Sequence, residues 1–115
     1  TVLLKNADGS LGSSLSFSLK QIPCFSLWKN TAAVENGYVT GLEPATNYPN
    51  PKRFEREAGR VVQLKGGETQ TYDLTVAVHD SRRQVQAVER EIKQIQKTVK
   101  PKVNQDITSR LSSAG

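Results

Sequence analysis

The sequence predicts a mainly β, antiparallel fold that ends in one amphipathic helix. Residues 15–19 and 69–79 alternate apolar with polar side chains, which is typical of half-buried strands. After residue 81 the period changes, and apolar residues recur at spacings of 3, 4, 3 and 4, as they do along one side of a helix. The residues of this helical stripe are Val85, Val88, Ile92, Ile95 and Val99.

Short strands separated by turns are expected before the helix. Asp8-Gly9 and the segment 65–68 have the chemistry of turns. Between Glu43 and Gly59 three prolines oppose regular structure, so we expect a long irregular segment there, of a kind that is often functional. The expected strands are 2–4, 15–19, 25–28, 37–42, 60–64 and 69–79. Alternation places His79 opposite the apolar side of its strand, where it faces solvent.

The helix is predicted to begin after Ser81, which forms a capping box with Gln84, and to end at or before Lys100, because Pro101 follows. The predicted boundaries are therefore a β part at 1–80, an amphipathic helix at 81–100 and a flexible tail at 101–115. Five β-branched residues on one side of the helix must be buried against a sheet or a second copy. A homo-oligomer formed through residues 81–99 is one expectation.

Composition excludes several classes of protein. The net charge of +5 lies entirely in residues 81–115, and its scattered spacing favours a solvated helix face over a nucleic-acid site. One cysteine, Cys24, excludes an intrachain disulfide and a multi-cysteine metal site. No apolar run approaches the roughly 18–20 residues that span a bilayer, so no membrane association is expected. The cytoplasm is the favoured compartment.

Glu43 is the main candidate for a functional residue. It stands where a strand gives way to the proline-rich segment, so the strand would fix its backbone while the segment forms a pocket wall. Gly41 would allow a ligand to approach closely. The alternative is structural: Glu43 caps a turn or forms a surface ion pair with Arg53 or Arg56.

Longer runs of sequence carry a resemblance to a known family. The chain resembles an uncharacterised branch of the aldose 1-epimerase-like proteins over about residues 1–80, and the combination of Trp28-Lys29 with Gly41-Leu42-Glu43-Pro44 is its most specific part. The runs concerned are 25–30, 37–47, 49–51 and 54–57. The resemblance implies the C-terminal part of a galactose-mutarotase-like antiparallel β super-sandwich that binds a monosaccharide or sugar derivative on its concave side.

The same resemblance implies a role for Glu43. In true mutarotases a glutamate in a Leu-Glu motif acts as general base, and Glu43 matches it. No metal or organic cofactor is implied. The acid of that family is a histidine upstream of the glutamate, whereas the one histidine here, His79, lies downstream. The chain therefore looks like a fragment that lacks the acid and is inactive alone.

Other polar residues are weaker candidates for contacts with the sugar. Asn47 and Arg53 could bind hydroxyl groups, Lys29 or Asn30 could line the rim, and Trp28 could stack on a pyranose ring. Turns, ion pairs and core packing are the alternatives for these residues. Three functions remain open: an aldose 1-epimerase-like enzyme, a non-catalytic carbohydrate-binding protein of the same fold, and an interaction module that acts through its basic helix.

Overall fold

A computed structural model describes residues 1–99, 101–103 and 105, arranged mainly as antiparallel β structure. One sheet contains β1 (Val2–Lys5), β2 (Gly12–Phe17) and β5 (Leu74–His79) in that order, and a hairpin pairs β3 (Cys24–Lys29) with β4 (Thr40–Ala45). The helices are α1 (Lys52–Glu57) and α2 (Arg82–Gln96), with a 3-10 turn at Val34–Asn36. The predicted β-rich class with a C-terminal amphipathic helix is confirmed. The predicted tail lies mostly outside the described residues.

The described residues divide into two compact units. Thr1–Phe17 and Asp73–Gln105 form the sheet unit, which holds β1, β2, β5 and α2. Ser18–Tyr72 forms the hairpin unit, which holds β3, β4 and α1.

In the sheet unit, helix α2 packs on the side of the sheet that carries small residues. Val85 is 1% exposed, and its Cγ2 lies 3.4 Å from where a Cβ on Gly12 would stand. That Cβ would also lie only 2.9 Å from the backbone oxygen of Leu4, so residue 12 must be glycine. Ser14, on the same side of β2, is buried. Small side chains thus let the helix approach the sheet closely.

The orientation of β5 differs from the expectation. His79 is half-buried rather than solvent-facing, and its Nε2 is 2.9 Å from the Ser14 hydroxyl. The apolar residues on the other side of the strand are exposed, at 64% for Val76 and 80% for Val78. The alternation was read correctly, but α2 covers the side with the small side chains because only that side admits a helix at this distance.

Helix α2 follows its prediction in part. Ser81 is the N-cap, but its side chain makes no capping hydrogen bond. Instead the Gln84 Oε1 accepts a hydrogen bond of 3.0 Å from the amide of Asp80, one residue before the N-cap, so the predicted capping box between Ser81 and Gln84 is wrong. The helix ends at Gln96, before Pro101. Its stripe is buried at Val85 but 54% exposed at Ile95, and self-association through residues 81–99 stays a prediction.

The hairpin unit corrects the predicted irregular segment. Strand β4 continues through Pro44 to Ala45, in register with β3 down to Cys24. Pro51 is then the N-cap of α1. The strand predicted at 60–64 is absent, because the Arg60 amide donates a 2.9 Å hydrogen bond to the Glu55 backbone oxygen and closes α1. Residues 69–73 also lie outside β5, which is shorter than predicted.

Candidate functional site

Glu43 lies on the exposed side of the hairpin of β3 and β4. In the register, Ser26 faces Glu43 and Trp28 faces Gly41. Because cross-strand partners share a face and alternate residues of a strand do so too, the side chains of Ser26, Trp28 and Glu43 project from one face, on which Gly41 leaves a gap. Glu43 is exposed, and Trp28 is 50% exposed. The hairpin therefore presents a carboxylate and an indole ring at neighbouring positions.

Gly41 creates the space that the Glu43 carboxylate occupies. A Cβ at position 41 would lie 2.5 Å from the Glu43 Oε1 and 3.3 Å from its carboxyl carbon. The carboxylate is thus folded back over the Gly41 backbone, toward the strand position that Trp28 faces. Any side chain at residue 41 would displace it.

The Glu43 carboxylate is not committed to an ion pair among the residues that the structure describes. Arg53, one of its alternative partners, instead donates from Nε to the Glu57 Oε1 at 2.9 Å, within α1. An exposed carboxylate can accept a proton or a hydrogen bond from a hydroxyl group, and the adjacent indole offers a flat apolar surface. Together these groups suit a ligand with hydroxyl groups on one side and C–H groups on another.

The other predicted sugar-binding residues lie in different places. Lys29 is on the opposite face of β3 from Trp28, by strand alternation. Asn30 holds the loop that joins β3 to β4, donating to the Gly37 oxygen at 3.2 Å and accepting from the Ala32 amide at 3.0 Å. Arg53 is on α1 and largely exposed. The hairpin itself therefore brings together Trp28 and Glu43.

Asn47 lies in the segment that follows β4. Its side chain is half-buried and donates from Nδ2 to the Tyr48 backbone oxygen at 2.8 Å. Its Oδ1 accepts a weaker hydrogen bond, 3.4 Å long, from the Thr46 hydroxyl. The orientation of this carboxamide therefore depends on the backbone of residues 46–48.

The sequence reasoning missed a buried ion pair that holds this segment. The Glu55 side chain exposes no surface. Its Oε2 accepts hydrogen bonds from the Arg60 Nε at 2.7 Å and from the Tyr48 amide at 3.2 Å. Its Oε1 accepts from the Arg60 Nη2 and from the Asn50 Nδ2, each at 2.7 Å. An acid five residues before an arginine was the available signal, but the spacing is too common to predict burial.

The electrostatics of this pair are strongly shifted. The hydrogen bonds from Arg60 lower the pKa of Glu55 to about 2, against the opposing effect of burial, with help from Asn50 and the Tyr48 amide. The Arg60 guanidinium also lies 5.4 Å from the centre of the Tyr48 ring and 5.7 Å from that of Phe54. The pair is therefore ionised at neutral pH, and its guanidinium lies within cation–π distance of two aromatic rings.

Tyr48 and Cys24 anchor the same segment from the side of β3. Burial raises the pKa of the Tyr48 hydroxyl, and the adjacent Cys24 thiol adds to the effect. Cys24 is 4% exposed, and its Sγ lies 3.9 Å from the Thr46 backbone oxygen. Residues 46–50, which we call the wall segment, are thus held by β3 on one side and by Glu55 on the other.

An open cleft of about 400 Å³ lies on the hairpin unit, away from Glu43. Its lining includes Lys20, Thr46, Arg60 and Val61, but neither Glu43 nor Trp28. Within residues 1–99, 101–103 and 105, no group of three histidine, cysteine or acidic residues is placed to bind a metal ion. No helix in this described part has the length and hydropathy to cross a bilayer.

Comparisons with known proteins agree with the resemblance found in the sequence. A family model described as "Domain of unknown function (DUF4432)" matches residues 1–78. A crystal structure described as a "putative aldose 1-epimerase" from Klebsiella pneumoniae subsp. pneumoniae MGH 78578 is 41% identical, with a TM-score of 0.81. That similarity covers 93% of this chain and 27% of the solved one, so the chain spans about a quarter of its length. No curated protein matches.

Proposed function

We propose that this chain, which belongs to the family described as Domain of unknown function (DUF4432), carries the general base of a protein that interconverts the anomers of an aldose. Glu43 is that base. The observation that carries the proposal is the carboxylate on β4, unpaired among the described residues and folded over Gly41, beside the strand position of Trp28. The similarity to a structure described as a "putative aldose 1-epimerase" supports the choice of reaction.

The proposed reaction needs two proton transfers. Glu43 takes the proton of the anomeric hydroxyl while an acid protonates the ring oxygen, and the C1–O5 bond breaks to give the open-chain aldehyde. Rotation about the C1–C2 bond presents the other side of the carbonyl. The same groups then act in reverse: the C5 hydroxyl adds to C1, and the ring closes as the other anomer. Each transfer typically contributes about 10²–10⁴-fold to the rate.

The hairpin supplies the binding groups in this proposal. Trp28 offers its ring to the C–H side of the pyranose, and Asn47 offers its carboxamide to a hydroxyl group. The acid is not assigned. The one histidine of the chain, His79, is hydrogen-bonded to Ser14 in the sheet unit. A protein that bears this chain would supply the acid from other residues.

A non-catalytic carbohydrate-binding protein is the second candidate. It would use the same face of the hairpin, where Trp28 is half exposed and lies on the same side as Glu43, and binding alone needs no acid. Such a protein would bind an aldose without accelerating the conversion of its anomers. Rate measurements therefore separate the two candidates.

The first prediction concerns Glu43. In the full-length protein, polarimetry with α-D-glucose and α-D-galactose is expected to show accelerated mutarotation, and Glu43→Gln should lower kcat about 10²–10⁴-fold because glutamine cannot accept the proton. Glu35→Gln, at an exposed glutamate of the 3-10 turn, is the matched control and should retain the rate. Unchanged kcat in Glu43→Gln would remove this residue from the mechanism. Sugar binding without acceleration in the wild type would favour the second candidate.

A further inference from the structure

We propose that Glu55 is a positioning residue of the sugar site: its buried carboxylate fixes the wall segment, residues 46–50, so that Asn47 meets the sugar bound at Glu43. The inference rests on the proposed function for the identity of the ligand. Glu55 itself touches no substrate. It acts through the backbone of Tyr48 and the side chain of Asn50.

The first step of the argument is the path of hydrogen bonds from Glu55 to Asn47. The Tyr48 amide donates to the Glu55 Oε2, and the Tyr48 oxygen accepts from the Asn47 Nδ2 at 2.8 Å. Glu55 thereby holds the peptide unit before residue 48, and the Asn47 side chain is hydrogen-bonded to the peptide unit after it. The Asn47 carboxamide keeps its orientation only while the Tyr48 backbone keeps its own. Glu55 therefore fixes the orientation of Asn47 indirectly, through Tyr48.

The second step is the cost of burying this carboxylate. A fully buried charge is destabilising unless paired and hydrogen-bonded, and apolar side chains of similar volume usually stabilise a core at least as well. Here the carboxylate accepts hydrogen bonds from the wall segment and from Arg60, whose amide closes α1. The arrangement gives one defined conformation to a segment that contains Pro49, precedes Pro51 and makes no β-ladder hydrogen bonds.

The third step is position along the chain. Glu43 is fixed by β4, where it pairs with Ser26, and the wall segment begins one residue after that strand ends. Cys24, paired with Ala45 at the other end of the hairpin, lies against the Thr46 oxygen. The strand therefore orients the proposed base, whereas Glu55 orients the residues beyond the strand. Loss of Glu55 should disturb binding more than proton transfer.

Kinetics of the full-length protein test the inference. Glu55→Gln presents an NH2 group where donors now point, so the wall segment should loosen. With α-D-galactose, KM is expected to rise about tenfold or more while kcat changes less than about threefold. Glu57→Gln is the matched control, on the same helix but exposed and bonded only to Arg53 among the described contacts, and it should retain both constants. Wild-type KM in a folded Glu55→Gln protein would overturn the inference.

A milder variant covers the case in which Glu55→Gln does not fold. Asn50→Ala removes one 2.7 Å hydrogen bond to Glu55 and leaves the bonds from Arg60 in place. KM should rise about three- to tenfold, which corresponds to the typical net contribution of one hydrogen bond, with kcat retained. A folded Asn50→Ala protein whose KM is unchanged, or whose kcat falls as much as KM rises, would overturn the positioning role.

Hydrogen exchange separates this inference from the proposed function. The Tyr48 amide donates to Glu55, so its exchange without sugar should accelerate at least about tenfold in Asn50→Ala and remain unchanged in Glu57→Gln. This readout needs no activity. If Glu43→Gln failed to alter kcat, the role of Glu43 as base would be rejected. An unchanged Tyr48 exchange rate in Asn50→Ala would instead reject the positioning role of Glu55.

Discussion

The sheet unit and the hairpin unit are stabilised by different interactions. In the sheet unit the most deeply buried side chain is Val85, which packs against a sheet whose small residues admit a helix. In the hairpin unit it is Glu55, a carboxylate ionised between Arg60, Asn50 and a backbone amide. Apolar burial is non-directional, whereas the hydrogen bonds of a buried ion pair fix both the distance and the direction of each partner. The unit with the more strictly defined geometry is thus the one that also contains Glu43.

The largest effect is expected from Arg60→Met. It leaves the Glu55 carboxylate buried with only Tyr48 and Asn50 as described donors, and removal of one partner of a buried pair is strongly destabilising. Amides of the hairpin unit should lose more hydrogen-exchange protection than in any other variant below. Arg53→Met, at an exposed ion pair on the same helix, is the control. Equal protection in both variants would break the comparison.

The dependence of the unfolding free energy on pH provides a second test with the Arg60→Met variant. The folded-state pKa of Glu55 is about 2, below its ordinary value of 4.5, so the ionised carboxylate stabilises the wild type above about pH 4.5. That contribution is lost as the pH falls from about 4.5 to about 2. Arg60→Met should lose less stability over this interval, because its Glu55 pKa is closer to the ordinary value. Asp8 and Glu89, whose pKa values are also lowered, supply a background common to both proteins.

An intermediate effect is expected from Val85→Ala. The substitution removes two buried methyl groups, and the cost should be about 2 kcal/mol of unfolding free energy. Urea denaturation followed by hydrogen exchange should place the loss in amides of β2 and α2. Val99→Ala, at a position that is 69% exposed and lies beyond the end of α2, should change little. A similar loss from both substitutions would mean that the exposed end of the stripe is covered in solution.

The smallest effect is expected from Lys5→Gln. Lys5 pairs with Glu89 at 2.5 Å, but both side chains are partly exposed, at 42% and 30%. Surface pairs of this kind contribute little and are screened by salt. The loss of stability should be well below that of Val85→Ala and should shrink further in 1 M NaCl. A loss that matched Val85→Ala and resisted salt would show that the sheet unit also depends on a specific ion pair.

The sequence predicted those parts of the fold that apolar periodicity controls. Strand alternation gave β2 and β5, the expected strands at 25–28 and 37–42 overlap β3 and β4, and the helical stripe gave α2. The same pattern could not tell which side of β5 the helix would cover, because that choice depends on small residues such as Gly12 and Ser14 in another strand. Helix α1 was missed since three prolines precede it and its six residues are too few to show a period.

The candidate site was predictable to a similar degree. Glu43 and Trp28 came from local motifs together with a family resemblance, and register alone places them on one face. Their roles remain predictions. The Glu55–Arg60 pair was invisible for a physical reason: surface and buried ion pairs use the same residues at the same spacings. Only the tertiary structure shows that Glu55 has no exposed surface whereas Glu57, two residues later, is open to solvent.

The folded-back carboxylate above Gly41 makes the effects of substitutions at positions 41 and 43 depend on each other. Alanine at residue 41 would lie 2.5 Å from the Glu43 Oε1, and the movable end of that side chain would yield rather than the backbone. The substitution would therefore cost the protein little of its fold while redirecting the one group proposed to act as base. We therefore expect substitutions at residues 41 and 43 to have non-additive effects, because a side chain at 41 changes where the carboxylate at 43 can lie.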